Sequence, residues 1–331
     1  MLVRLPLVTG SPGALDEKVT MSAAALRRSL LAPAAIAVGA LLLAGCSGSA
    51  PASGGAADDS AETHEVAHAR GTASVPVAPE RVVTLEPLEL DTAVALGVTP
   101  VGTAVASNVA DVPAYLEVSG VEPVGTVPEP DLEAIAALEP DLILGTESRH
   151  SALYDQLDAI APTVFIENHA DAWRDNAAVI GEALGQPDAV ASLLDEVDER
   201  CATIAETHDV EGETANLIRP RDETTLSLYG PTSFAGSLLQ CAGYTIPDQV
   251  WEDGLQADIS PENIADARAD EVFVTTDDVS DASTVPSAIT QNDDAFPDVT
   301  LVDTSTWVAG VGPKGAHAVL DDIEAFLDAR Q

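Results

Sequence analysis

The chain has 331 residues and a formal net charge of −41; 46% of its residues are hydrophobic, but only 4% are aromatic. So acidic a protein lacks the positive surface that phosphate contacts need, which excludes nucleic acid as a partner. Its length allows one large domain or two lobes, with an interior of small aliphatic side chains.

At the N-terminal end, Arg27 and Arg28 precede an apolar run from Leu30 to Leu42 that Pro33 and Gly39 interrupt. It is too short and broken for an ordinary spanning helix. Leu43-Ala44-Gly45-Cys46 follows and resembles the lipobox of bacterial lipoproteins, in which the cysteine is diacylated and becomes the mature N-terminus. Residues 1–46 are therefore expected to be a lipoprotein signal peptide, with Met21 as the true start, rather than a helix followed by an incidental cysteine. Cys46 would carry the lipid anchor, and two acyl chains suffice to hold a protein on the outer side of a membrane. Residues 47–65 are small, polar and acidic without periodicity, which predicts a flexible tether.

Ordered structure is expected from Val66. VAHARGTASVP sets Gly71 between two β-prone runs and predicts a hairpin. Val82 to Leu85 predicts a buried strand, followed by a Pro87 turn, a helix with Leu90, Val94 and Leu96 inward, Gly97 as its stop, and a second strand. DLEAIAALEPDLILG predicts a short helix from Asp131, a break at Pro140 and a strand from Leu142 to Leu144; SALYDQLDAIAPTVFIE adds a helix and a strand. This succession of βα units makes an α/β lobe of residues 66–186.

From Asp171 to His208 there is no strand signal, and Ala189, Leu193, Leu194, Val197 and Ile204 keep helical spacing after Pro187. Residues 187–209 are expected to be a helix of about twenty residues, roughly 30 Å long, a stiff strut between two lobes. The α/β pattern resumes over 210–331: NLIRP and TLSLYG as strands, SFAGSLLQCAG as a helix, EVFVTT and VTLVD as strands, and GAHAVLDDIEAFLDAR as a terminal helix. Cys201 and Cys241 could pair in an oxidising compartment. Both lie in apolar helical patterns, where a free cysteine behaves as a small buried hydrophobe, so free thiols are the favoured expectation.

An internal repeat runs through this pattern. DLEAIAALEPDLIL (131–144) and SPENIADARADEVF (260–273) align without a gap, matching Glu133 to Glu262, Ile135 to Ile264 and Asp141 to Asp270. VALGVTP near 94 similarly matches QCAGYTIP near 240. Duplicated lobes joined by a helix account for both.

The segments PERVVTLEPLELDTAVALGVTPVG, PDLEAIAALEPDLILG, IAPTVF and WVAGVGPKGAHAVLDDIEAFL occur in the order of a known class. From Val66 onward the chain resembles the ABC-transporter substrate-binding proteins that carry iron-siderophores, haem or cobalamin. ILGTESRHSALYDQLDAIAPTV makes it most similar to the iron-siderophore receptors. The resemblance implies two Rossmann-like α/β lobes joined by a single long helix, with the ligand crevice between them. It also implies a monomeric, non-catalytic receptor that gives a ferric siderophore to a permease and its ATPase. The siderophore holds the iron, so no protein metal ligand and no cofactor is expected.

Site residues carry over one at a time. Arg149 follows a strand end, where open α/β sheets bind ligands, and Arg219 occupies the corresponding edge of the second lobe. Each would form a charge-assisted hydrogen bond to an anionic ligand. Arg221 is expected to face solvent. Tyr229 and Trp307 would pack on the ligand, while Glu86, Pro87 and His150 would border the same crevice. Glu133 and Glu262 are expected to dock onto permease arginines, although carboxylates at helix starts are favourable in their own right.

The rival readings are a haem or cobalamin receptor, a bare-metal receptor, a cell-surface hydrolase and a structural lipoprotein. Bare zinc or manganese would need converging His and carboxylate ligands. Among the histidines only His64 and His68 have ligand spacing, and they fall at the first hairpin. No G-x-S-x-G, phosphate-cradling glycine loop or C-x-x-C supports an enzyme.

Overall fold

The computed structural model describes residues 62–106, 112–169, 172–222, 225–252, 255–292, 294–297 and 299–330; the expected signal peptide, Cys46 and most of the tether lie outside them. The described chain opens with a hairpin of β1 (Thr63–His68) and β2 (Gly71–Pro76), whose register sets Thr63 opposite Pro76. β1 therefore begins inside the stretch read as tether. Its polar first residues give no strand signal alone, and pairing with β2 recruits them. His64 donates to the Glu182 carbonyl at 2.8 Å, and the Phe165 amide donates to His68 Nδ1 at 3.2 Å. Both histidines thus fasten the hairpin to the first lobe.

That lobe has six strands: β3 (Val82–Thr84), β4 (Gly102–Val105), β5 (Glu122–Thr126), β6 (Glu129–Pro130), β7 (Leu142–Thr146) and β8 (Thr163–Ile166). Their order is β6-β5-β4-β3-β7-β8, parallel throughout except for β6. Helices α1 (Pro87–Ala95), α2 (Leu132–Ala137), α3 (Glu147–His150) and α4 (Tyr154–Asp158) lie between the strands, and α5 (Trp173–Ala183) follows them. Central β3 and β7 are buried at every position, as a parallel sheet covered on both faces requires.

A helix of 21 residues, α6 (Pro187–Thr207), leads to the second lobe. There β9 (Ala215–Pro220), β10 (Leu226–Tyr229), β11 (Gln256–Ile259), β12 (Glu271–Thr276) and β13 (Thr300–Asp303) form a sheet in the order β11-β10-β9-β12-β13. β9, β12 and β13 pair in parallel, whereas β10 pairs antiparallel with both β9 and β11. The polar QADI run of β11 gave no strand signal; pairing with β10 creates it. Helices α7 (Phe234–Cys241), α8 (Ser287–Thr290), α9 (Thr304–Trp307) and α10 (Pro313–Ala329) complete the lobe.

The sequence repeat is physical. Asp141, just before β7, accepts from the Glu80 and Arg81 amides at 2.8 and 2.9 Å, where the chain enters β3. Its counterpart Asp270, just before β12, accepts from the Thr214 amide and hydroxyl, both at 2.8 Å, where the chain enters β9. Ile135 and Ile264 are both buried. Gly97 and Gly243 end α1 and α7 with φ of 78° and 107°, the left-handed geometry glycine adopts most readily.

One apolar core runs from Val164 and Trp173 through Val197 and Ile204 of α6 to Leu217, Phe273 and Leu320. The strut is thus packed into both lobes, not merely strung between them. Arg174 of α5 pairs with Asp198 of α6 at 2.7 Å, and Arg200 of α6 donates to the His317 carbonyl and to Glu324 of α10 at 3.2 and 3.0 Å.

Cys201 and Cys241 form a disulfide, with Cα atoms 5.3 Å apart. This corrects the free-thiol expectation. Each cysteine does lie on an apolar helix face, but α6 and α7 turn those faces toward each other, a distance that helical periodicity does not encode. Replacing both cysteines by alanine is expected to cost about 2–4 kcal/mol. A denaturant titration checks this, with loss below about 1 kcal/mol counting against it.

Candidate functional site

A crevice of about 520 Å³ lies between the two sheets. Its first-lobe side is built at the carboxyl ends of parallel strands. β3 leads to Glu86 and Pro87 at the start of α1, β7 leads to α3 with Arg149, and β8 ends at Ile166, with His169 beyond it. From the second lobe come Arg219 and Arg221 at the end of β9, and Val308, Ala309 and Val311 after α9. Parallel strand ends leave backbone and short loops facing one edge of a sheet, which is why α/β folds bind ligands there. Val127, Ile166, Val308 and Val311 give the crevice apolar walls.

Its electrostatics differ from those of the chain as a whole. Arg149, Arg219 and Arg221 converge on one cavity in a protein with only 14 Lys and Arg residues. Arg149 Nε lies 3.1 Å from Glu86 Oε1, and Arg219 Nη1 donates to the Tyr229 hydroxyl at 3.2 Å. Ser148 Oγ lies 3.2 Å from His169 Nδ1. Burial pushes the Glu86 carboxyl up to about 7, with Arg149 and Thr146 opposing the shift. Glu89, beneath it, accepts from the Leu85 and Glu86 amides at 2.8 and 3.0 Å. Burial and the neighbouring Glu86 raise Glu89 further.

Arg149, Arg219, Glu86 and Pro87 are thus brought together. Arg221 is exposed, as expected, and borders the rim of the crevice just past the end of β9. Three expectations need correction. The His150 ring is fully buried, with Nδ1 accepting from the Thr146 amide at 3.1 Å and Nε2 donating to the Val127 carbonyl at 2.8 Å. Having committed both nitrogens to the backbone, it holds the α3 turn and makes no crevice contact. Trp307 is 1% exposed, stacks on Phe273 with ring centroids 4.9 Å apart, and donates to Asp322 at 2.8 Å. It is a core residue of the second lobe. Tyr229 does not line the crevice; its hydroxyl acts at one remove by holding Arg219.

His169 was missed as a crevice residue. A signal was present: it stands three residues beyond the last residue of β8, as Arg149 does beyond β7.

Glu133 and Glu262 lie away from the crevice, and both are exposed. Glu133 is in the first turn of α2, capped by Asp131, which accepts from the Glu133 and Ala134 amides at 2.9 and 3.1 Å. Glu262 begins a 3-10 turn, Pro261–Ala267, rather than an α-helix. It borders an open groove of about 870 Å³ that Arg221 also lines.

The family model described as periplasmic binding protein matches residues 82–300. The chain belongs to the periplasmic binding protein family. Among its relatives, YfiY of Bacillus subtilis, named as a probable siderophore-binding lipoprotein, is 32% identical over 308 residues, covering 87% of this chain and 94% of the relative. The Fe(3+)-citrate-binding protein YfmC of Bacillus subtilis is 30% identical, covering 71% of this chain and 75% of the relative. Among solved structures, Staphylococcus aureus SirA complexed with staphyloferrin B matches with a TM-score of 0.69 and 29% identity, over 80% of this chain and 99% of that one. As in other periplasmic binding proteins, the fold is two α/β lobes around a crevice.

Proposed function

We propose that this periplasmic binding protein is an extracytoplasmic receptor, anchored through a lipid on Cys46, that captures an anionic ferric siderophore and delivers it to an ABC permease driven by an ATPase. The observation that carries this reading is the convergence of Arg149, Arg219 and Arg221 on one partly apolar crevice in a chain of net charge −41. Guanidinium groups form charge-assisted, often paired hydrogen bonds with carboxylate or catecholate oxygens. The aliphatic walls take up the less polar parts of the chelate. Relatives named for ferric citrate and for siderophores agree with such a ligand. The protein contacts the periphery of the chelate, the siderophore holds the iron, and no bond is made or broken. Because α6 is packed into both lobes, capture proceeds by a small closure rather than a wide swing.

The test is a binding panel of ferric citrate, ferric staphyloferrin B, a ferric catecholate, haem and cobalamin, followed by intrinsic fluorescence of Trp173, Trp251 and Trp307. Submicromolar binding of a ferric siderophore is the expected result; tight binding of only haem or cobalamin would replace this reading.

Glu133 and Glu262, exposed and related by the repeat, are assigned to docking on permease arginines. The double variant Glu133→Arg/Glu262→Arg is expected to bind its chelate within about twofold of wild type while cellular uptake falls at least tenfold. Loss of binding itself would make these glutamates structural.

A further inference from the structure

Glu86 is an unusual neighbour for an anion-binding arginine. Its side chain is 6% exposed, at the start of α1, and its Oε1 is buried against the Arg149 guanidinium. The Thr146 hydroxyl from β7 lies beside both Glu86 and Glu89. The charged and titratable groups around the site are Glu89 from α1, Arg149 from α3, His169 beyond β8, and Arg219 and Arg221 across the crevice. His150, though close in sequence, is bonded to the backbone.

We propose that Glu86 is a positioning residue that holds the Arg149 guanidinium through a half-buried ion pair until an anionic chelate engages it, and that Glu86 then takes up a proton, so that capture and release of the chelate are linked to pH. This rests on the receptor reading above. An anionic chelate on Arg149 competes with Glu86 for one guanidinium, and two anions cannot share it at close range without strong repulsion. Protonating Glu86 removes that conflict. The carboxyl is poised for this because burial already holds it near 7, with Arg149 as the charge that opposes the shift. Drawing Arg149 toward the chelate weakens that opposition and adds a second negative charge, and both raise the pKa. With Glu89 held far above the usual carboxylate range, the charge of the pair resides on Glu86.

Above about pH 7 Glu86 is ionised before capture and protonated after it, so a proton is taken up; below about pH 6 it is protonated in both states and none moves. Affinity for the anion therefore falls as pH rises through 7, by up to about tenfold per unit.

Calorimetry in two buffers of different ionisation enthalpy, at about pH 8 and about pH 6, counts the protons. The probe is ferric citrate or ferric staphyloferrin B, whichever binds wild type more tightly. Wild type is expected to take up roughly half a proton or more at the higher pH and almost none at the lower. Glu86→Gln, similar in shape but unable to ionise, is expected to bind without this uptake and with a flatter pH profile. A purely structural role would change stability or affinity but not the proton count. Equal counts in the two proteins overturn the proposal, as does binding by wild type with no uptake at about pH 8. The second outcome needs no variant. If wild type binds no ferric chelate of the panel, the receptor reading falls with it; binding without proton uptake removes the Glu86 proposal alone.

Discussion

Replacing Arg149 and Arg219 together by alanine is expected to weaken an anionic ferric chelate by about 10²–10⁴-fold. A hydrogen bond to a charged partner contributes roughly 1.5–3 kcal/mol net, so each arginine accounts for about 10–150-fold. The two lie on opposite lobes of the crevice, so their effects should combine nearly additively unless the chelate shifts to compensate. Arg149→Lys is expected to recover only part of the loss, because a lysine restores charge but not the planar fork. Folding should be little affected: without Arg149, the Glu86 carboxyl, already near 7, can become neutral rather than remain a buried bare charge. The measurement is a pair of titrations with an anionic and a neutral chelate. Equal losses on both would show that the arginines act through shape and not charge.

Asp91→Ala is expected to destabilise the protein by about 3–5 kcal/mol, lowering the melting temperature by roughly 6–20 °C. Asp91 belongs to α1 in the first lobe, but its partners are remote in sequence. Oδ1 accepts from the Lys314 amide and Oδ2 from the Gly315 amide, both at 2.8 Å, at the start of α10 in the second lobe. Oδ2 also accepts from the Tyr115 hydroxyl at 2.9 Å. Asp91 is fully buried, and burial pushes this carboxyl up to about 7 despite all three bonds. Truncation would leave three donors unpaired, two of them at a helix end whose free amides carry partial positive charge. The surroundings are tight: Gly312 has a φ of 139°, and a Cβ there would overlap the Asp91 carboxylate. Since the bond joins α1 to α10, amide exchange near residues 312–316 should speed up as well. A calorimetric loss below about 1 kcal/mol would mean that the donors find other partners.

Much of the architecture was legible because it depends on short-range order. Period-two and continuous apolar runs marked β3, β7, β8, β9 and β12; Pro187 and the spacing through Ile204 marked the strut; glycine at 97 and 243 marked helix ends. The repeat joining Asp141 to Asp270 is a local device used twice, an aspartate holding the entry to the neighbouring strand, and one sequence alignment sufficed to find it. The crevice positions of Arg149, just past β7, and Arg219, near the end of β9, were legible for a related reason, since the carboxyl ends of parallel strands border the crevice in folds of this kind. The placements decided only by tertiary structure are those whose outcome depends on a partner far away in the chain. Tyr229 ends β10 and Trp307 comes shortly after β13, yet Phe273 and Asp322 draw the tryptophan into the core while the tyrosine braces Arg219. His150 adjoins Arg149, but backbone groups at Thr146 and Val127 bind both its nitrogens. Cys201 and Cys241 looked like separate buried thiols until α6 met α7, and β11 exists because β10 offers it an edge. Periodicity reports which face of an element is apolar; what that face meets, and at what distance, is set by packing between elements that no local pattern contains.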